Sequence, residues 1–192
     1  DYVKADGKLL VMAGPVEDGK LENLNGILSY YGIETQEGIV VESDRDHYAF
    51  QRPYILIPDM NSSDITDSLR NANYLAIMPI SAGLVSDYSS GSVTELLTTS
   101  DYAFSKAAGF SLDTYEKEEG DTDGPFALAV VIDSGVTGKI VWFASADFLD
   151  DMYNAYSSGA NNDLAMNAMS YLIGESEAIA IRSKSLNYNY LT

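Results

Sequence analysis

The sequence contains no cysteine. That excludes disulfides, thiolate zinc sites and a cysteine nucleophile. It contains one histidine, His47, which excludes any site built on two imidazoles. Positive charge is scarce: 11 basic residues stand against 29 acidic ones, a formal net charge of −18. A surface that negative repels phosphate backbones and anionic headgroups, which argues against nucleic acid as a partner. No stretch approaches the ~18 consecutive apolar residues of a membrane span, and no signal peptide opens the chain. The first residue is Asp1, inside YVKADGK, which reads as the end of an element. The expectation is therefore a single α/β domain over residues 1–192, excised from a longer membrane-anchored protein.

What is present suffices for a core, since 46% of the residues are hydrophobic. Residues 8–13, KLLVMA, read as a buried strand ending at Gly14-Pro15. Apolar residues at 21, 24, 27, 28 and 31 follow a helical period, and Gly32 is a stop signal. Residues 39–41 form a short strand. Residues 54–57 lie between Pro53 and Pro58 and suit an edge or connecting strand. Ser62-Ser63-Asp64 can cap a short helix reaching Leu69, and residues 74–80 read as another buried strand. FALAVVID and KIVWFA, separated by SGVTG, read as an antiparallel hairpin. Residues 148–156 suit a helix. NNDLAMNAMSYLIG is a second, capped by Asn161 or Asn162. AIAIRSK is strand-like and puts Arg182 and Lys184 on one face. This order predicts an α/β mixed-sheet sandwich with helices on both faces, carrying a β-rich insertion over residues 81–124.

GPVEDGKL, residues 14–21, is one residue short of a phosphate-binding loop in the strand–loop–helix context such a loop requires. The chemistry is wrong. Leu21 stands where a magnesium-binding hydroxyl belongs, Glu17 and Asp18 place negative charge inside the anion nest, and Pro15 removes an N–H donor. The expectation is a βα turn with no direct nucleotide binding. The stretch 113–124 carries Asp113, Glu116, Glu118, Glu119, Asp121 and Asp123. It resembles a calcium loop only in its D-T-D-G ending, so a solvated, mobile acidic loop is expected, with weak calcium binding as its alternative. Ser89-Ser90-Gly91-Ser92 and Gly83 lack a nucleophile elbow, and His47, flanked by Asp44 and Asp46, lies in another segment. No catalytic, cofactor-binding or metal-binding residue is assigned. Of the aromatics, Trp142 sits in an apolar strand and reads as core, while Tyr48, Tyr88, Tyr102 and Tyr115 lie in irregular segments and could line a sugar or peptide groove.

Several stretches resemble the extracytoplasmic domain of the ABC-transporter auxiliary family typified by the gliding-motility component GldG. They are YVKADGKLLVMAGP, LENLNGILSYYGIETQEGIVVESD, KIVWFASADFLDD and NNDLAMNAMSYLIGESEAIAIRSKSL, roughly half the chain. The family usually has two glycines where this chain has Asp6-Gly7. The resemblance implies a flavodoxin-like or class I glutamine-amidotransferase-like α/β fold. It also implies an extracytoplasmic, non-catalytic place beside an ABC permease or other membrane-complex subunits, with ATP bound by a separate cytoplasmic subunit. Amidotransferase relatives that are enzymes use a cysteine nucleophile, which this chain lacks. The first functional expectation is thus a non-enzymatic transport auxiliary that binds a partner, small molecule or polymer. The alternative is a carbohydrate- or peptide-binding domain with its crevice at the strand carboxyl ends, near Gly14 and Pro15.

Overall fold

The computed structural model describes residues 2–86, 91–136 and 138–174. Its strands are β1 (Lys8–Met12), β2 (Ile33–Thr35), β3 (Ile39–Val41), β4 (Ile55–Leu56), β5 (Asp59–Met60) and β6 (Met78–Pro79). They continue with β7 (Leu84–Ser86), β8 (Val93–Thr98), β9 (Phe104–Lys106), β10 (Thr122–Asp123), β11 (Ala127–Asp133) and β12 (Lys139–Phe143). The helices are α1 (Glu22–Tyr30), α2 (Asp67–Asn71), α3 (Asp151–Tyr156) and α4 (Ala160–Ile173).

β11 is the hub of a seven-stranded mixed sheet. Its apolar run forms the expected hairpin with β12, antiparallel from Ala129↔Phe143 to Asp133↔Lys139. The Lys139–Asp133 ion pair at 2.8 Å closes the turn end. β8 takes the opposite flank of β11, and β5 pairs the outer edge of β8. β1 runs parallel to β12, from Lys8↔Lys139 to Met12↔Phe143. Leu84 of β7 pairs Ala127 beyond the end of β12, and β7 carries β2. The stretch 81–124 is thus shared between sheets: β7 and β8 belong to this one, while β9 and β10 join β3 in a three-stranded sheet.

Strand side chains alternate between faces, so β12 feeds two cores. Ile140 and Trp142 pack with Leu28 of α1 on one face. Val141 and Phe143 pack with Leu164 and Ala168 of α4 on the other. On β11, Leu128 and the adjacent Ala129 both join the α4 side. The register shifts on either side of Ala129 in its pairing with β8 explain that break in alternation. Each fully buried Leu, Ile or Phe contributes roughly 1.5–3 kcal/mol, and about half of the residues in each core are of these types, with Ala and Val filling most of the rest. The chain is therefore α/β, with a mixed sheet between helices on its two faces.

Two polar side chains of α4 reach across the apolar core. Asn161 does not cap the helix. Gly159 is the N-cap residue, and Asn161 lies one residue inside the helix, fully buried. Its Nδ2 donates to the carbonyls of Ile77 and Phe148, both at 2.8 Å, and its Oδ1 accepts from the Ile77 N–H at 3.0 Å. This explains why the apolar run 74–80, buried at residues 76–79, holds only the two-residue β6. The Ile77 backbone finds its partners in a side chain rather than in a strand ladder. Asn167 similarly donates to Ile65 O at 2.9 Å and Ser68 Oγ at 3.2 Å, tying α4 to the α2 region. There Ser63 Oγ accepts from the N–H groups of Ile65 and Thr66 in the turn that precedes α2, rather than capping the helix, whose N-cap residue is Thr66. The run 178–184, with Arg182 and Lys184, and Tyr88, Ser89 and Ser90 lie outside the described residues.

Candidate functional site

Because β1 and β12 are parallel, their carboxyl ends share one edge of the sheet. A cleft of about 270 Å³ opens there. The turn after β1 supplies Gly14, Pro15 and Lys20, the turn after β2 supplies Gln36 and Glu37, and the segment after β9 supplies Ala108 and Phe110. Trp142 lines it from the sheet, buried as its apolar strand predicted. Thr35 lines it too, and its Oγ1 is buried with no hydrogen-bond partner.

The wall geometry explains the GPVEDGKL spelling. Gly14 passes between two backbones: a Cβ there would stand 3.0 Å from Ile80 O and 3.1 Å from Ala144 O. Lys20 does not point into an anion nest. Its Nζ pairs with Glu37 Oε1 at 3.2 Å, joining the two loops across the cleft. Both side chains are exposed, so the pair adds little stability. Glu17 and Asp18 remain exposed. On the far wall, Gly38 has φ +98°, and a Cβ there would fall 1.9 Å from Lys106 O. Only glycine permits that approach of β3 to β9.

The acidic stretch 113–124 is largely exposed to solvent, as expected, but it is anchored through Asp121, whose side chain is buried. It folds over Lys106, whose side chain is fully buried. Lys106 Nζ meets Glu118 Oε2 at 2.6 Å and Asp121 Oδ2 at 3.1 Å, and donates to Glu116 O at 2.9 Å. The Glu118 bond is the main reason the Lys106 pKa lies above its ordinary value, with Asp121 adding to it against the cost of burial. Burial pushes the Asp121 carboxyl up. The N–H groups of Glu118 and Ala107 and the Lys106 ammonium outweigh it, and its pKa falls below the ordinary value. The chain's own ammonium thus occupies the place a cation would take. Among the described residues, no group of three or more acidic or histidine side chains could hold a metal ion. The same network sets one cleft wall, since Asp121 Oδ1 accepts from the Ala107 N–H at 2.9 Å.

His47 lies away from the cleft. Its Nδ1 is 3.0 Å from Asp44 Oδ2 and its Nε2 3.4 Å from Asp59 Oδ2, so both ring nitrogens face carboxylates rather than a hydroxyl. Burial pulls its pKa down, but Asp44, Asp59 and Glu42 outweigh it and the net shift is upward. Glu42 is buried without a basic contact. Its carboxylate accepts from Ser43 N, Asp44 N, Ser100 N and Ser100 Oγ, and those donors replace a counter-ion. The irregular-segment tyrosines do not build the groove either. Tyr48 sits against Arg45, Tyr115 against Tyr54, and Tyr102 is exposed. Among the described residues no tyrosine lines the cleft, whose exposed aromatic is Phe110.

Sequence reasoning placed the crevice near Gly14 and Pro15 but missed its other walls. Thr35, Gly38 and residues 107–111 come together only through the β3–β9 pairing, which leaves no local signal. No protein-family model and no curated protein matches this chain. Among solved structures it is similar to one described as "mmIFT52 N-terminal domain", with 18% identity, a TM-score of 0.59, and coverage of 90% of this chain and 67% of that one. At that identity the likeness is one of fold: the chain and that domain share an α/β architecture.

Proposed function

We propose that this chain is a non-enzymatic binding domain whose ligand site is the cleft at the carboxyl ends of β1 and β12. The observation that carries this reading is the cleft itself. Three loops enclose about 270 Å³, one wall includes Thr35, whose buried hydroxyl has no partner, and the position is where ligands meet open α/β sheets. Binding is favoured over catalysis because the groups with displaced pKa values lie elsewhere. His47 is held by Asp44 and Asp59, Lys106 by Glu118 and Asp121, and Lys139 by Asp133. The lining is polar and uncharged at Asn25, Thr35, Gln36 and Ser111, which suits a small carbohydrate or a short peptide. In the setting that the GldG-type resemblance implies, this would be the extracytoplasmic, membrane-anchored auxiliary of an ABC-type transport system, working beside a permease. The finer kinship with flavodoxin-like and class I amidotransferase-like folds belongs to the same proposal. It is supported by the β1–turn–α1 unit and by helices on both faces of the sheet.

The test is a thermal-shift screen of wild type against monosaccharides, disaccharides, amino acids and tripeptides, repeated on Ala108→Trp. Ala108 is exposed on the wall, so the indole fills the cleft without disturbing the core. A stabilising ligand that Ala108→Trp no longer registers supports the reading. Chemical turnover of a hit, or a hit indifferent to the plug, sinks it.

A further inference from the structure

A second surface, away from the cleft, lies on the exposed side of α3. That helix buries none of its six residues. Met152 and Tyr156, one turn apart on it, are 49% and 57% exposed, and nearby stand Phe50 at 47% and Leu75 at 58%. The four are contiguous. The Phe50 and Tyr156 rings are 4.3 Å apart, and Leu75 and Tyr156 line one depression of about 290 Å³ with Tyr74 and Ser158. All four are about half exposed, and an exposed apolar patch rimmed by polar residues is where partners dock.

The backbone beneath this patch is unusual. Phe50, Gln51, Asn73 and Ser158 all have φ of +56°, in the left-handed region that non-glycine residues seldom adopt. Two consecutive left-handed residues hold Phe50 against Tyr156. Asn73 and Ser158 both line the depression. They do so as the residues that end α2 and α3, where the Tyr74 N–H donates to Leu69 O and the Gly159 N–H to Asn154 O.

Charge identifies the occupant. Asp147, Asp150 and Asp151 are exposed at the start of α3, and the first two act electrostatically on Tyr153 within it. Arg52 is the basic group acting on the same tyrosine. With a net charge of −18 on the chain, a second copy would meet repulsion at this face. An anionic membrane would too. We propose that this surface docks a basic polypeptide segment of a partner protein, whose apolar side chain packs on Phe50, Leu75, Met152 and Tyr156 while its lysines or arginines meet the aspartates. Apolar anchoring would supply the affinity, and the acidic rim the rate and selectivity.

The experiment is selection from a phage-displayed random peptide library on the whole chain, followed by fluorescence-anisotropy titration of the enriched peptides. The expected peptides combine basic residues with an aromatic or aliphatic anchor. Leu75→Ser and Tyr156→Ser, both at exposed positions, should each weaken them at least about tenfold. Asp147→Asn with Asp151→Asn, and salt raised from about 0.05 to 0.5 M, should each weaken them several-fold. Circular dichroism and thermal melting establish that the variants remain folded, and a third variant, Met152→Ser, tests the same face should one of them unfold. Enriched peptides that are acidic or uncharged, binding unmoved by these substitutions, or no enrichment would each overturn the proposal. So would a dimer in sedimentation that Tyr156→Ser dissociates, because the occupant would then be a second copy.

Discussion

Asn161→Ala is the sharpest test of how this fold is held. The Asn161 carboxamide satisfies three buried backbone groups: Ile77 N–H, Ile77 C=O and Phe148 C=O. Alanine leaves all three without that partner in a dry core. A buried polar group stripped of its partner costs about 1–3 kcal/mol. Allowing for relaxation, the expected loss is about 3–6 kcal/mol, against a whole-domain stability of roughly 5–15 kcal/mol. At about 2–4 °C per kcal/mol for a domain of this size, the midpoint should fall by roughly 10–20 °C. Asn161→Asp should be worse, since it sets a carboxylate against two carbonyl oxygens. Asn162→Ala is the control. That side chain is exposed, and its loss should stay within about 0.5 kcal/mol. The assay is urea unfolding followed by tryptophan fluorescence, Trp142 being the sole tryptophan and buried. A loss below about 1 kcal/mol for Asn161→Ala, or equal losses for the two asparagines, would refute the clamp.

Three further outcomes follow from the same geometry. Lys106→Met should release residues 113–124 from their ion pairs, seen as amide exchange in that stretch faster by about tenfold or more; unchanged protection would mean that the ammonium does not organise the loop. The His47 pKa is raised on folding, so its contribution is full below its unfolded value of 6.5 and is lost as pH rises through the higher folded value. Stability should therefore decline above pH 6.5 by an increment that His47→Gln removes, and identical pH profiles for the two proteins would contradict it. Thr35→Val should leave stability unchanged or raise it by about 1 kcal/mol, because it removes a buried hydroxyl without a partner. The same change should weaken any cleft ligand, and a clear loss of stability would show that the hydroxyl is satisfied in the folded protein.

Much of the framework was legible in the residues. The β11–β12 hairpin announces itself as two apolar runs around a short turn, β1 as a run stopped by Gly14-Pro15, and α4 by its helical period. These elements are long enough for periodicity to speak. β2, β7, β9 and β10 have two or three residues each and exist only because a partner strand lies alongside. The stretch 74–80 misleads in the opposite direction. It is apolar like a buried strand, but Leu75 faces out and Asn161, 84 residues away, takes the hydrogen bonds of its Ile77. The acidic stretch misleads for a related reason. Its composition gives its exposure but not its anchor, because Lys106 comes from another strand and nothing local marks that lysine as buried.

For the cleft the same division holds. Its position at the end of β1 was predictable from the strand–turn–helix order, and its failings as a phosphate loop were visible in Glu17, Asp18 and Leu21. The tyrosine lining was not found, because the walls are set by glycine-permitted backbone approaches rather than by aromatics. The central claim, that this cleft is the binding site, is tested most directly by ¹⁵N–¹H chemical-shift mapping of wild type with the best ligand from the screen. Binding at the cleft would centre the shifts on residues 13–21, 35–38 and 107–111, with Asn25, Ala82, Leu84 and Trp142, and Ala108→Trp would abolish them. Shifts centred on another surface, or persisting in Ala108→Trp, would contradict the assignment.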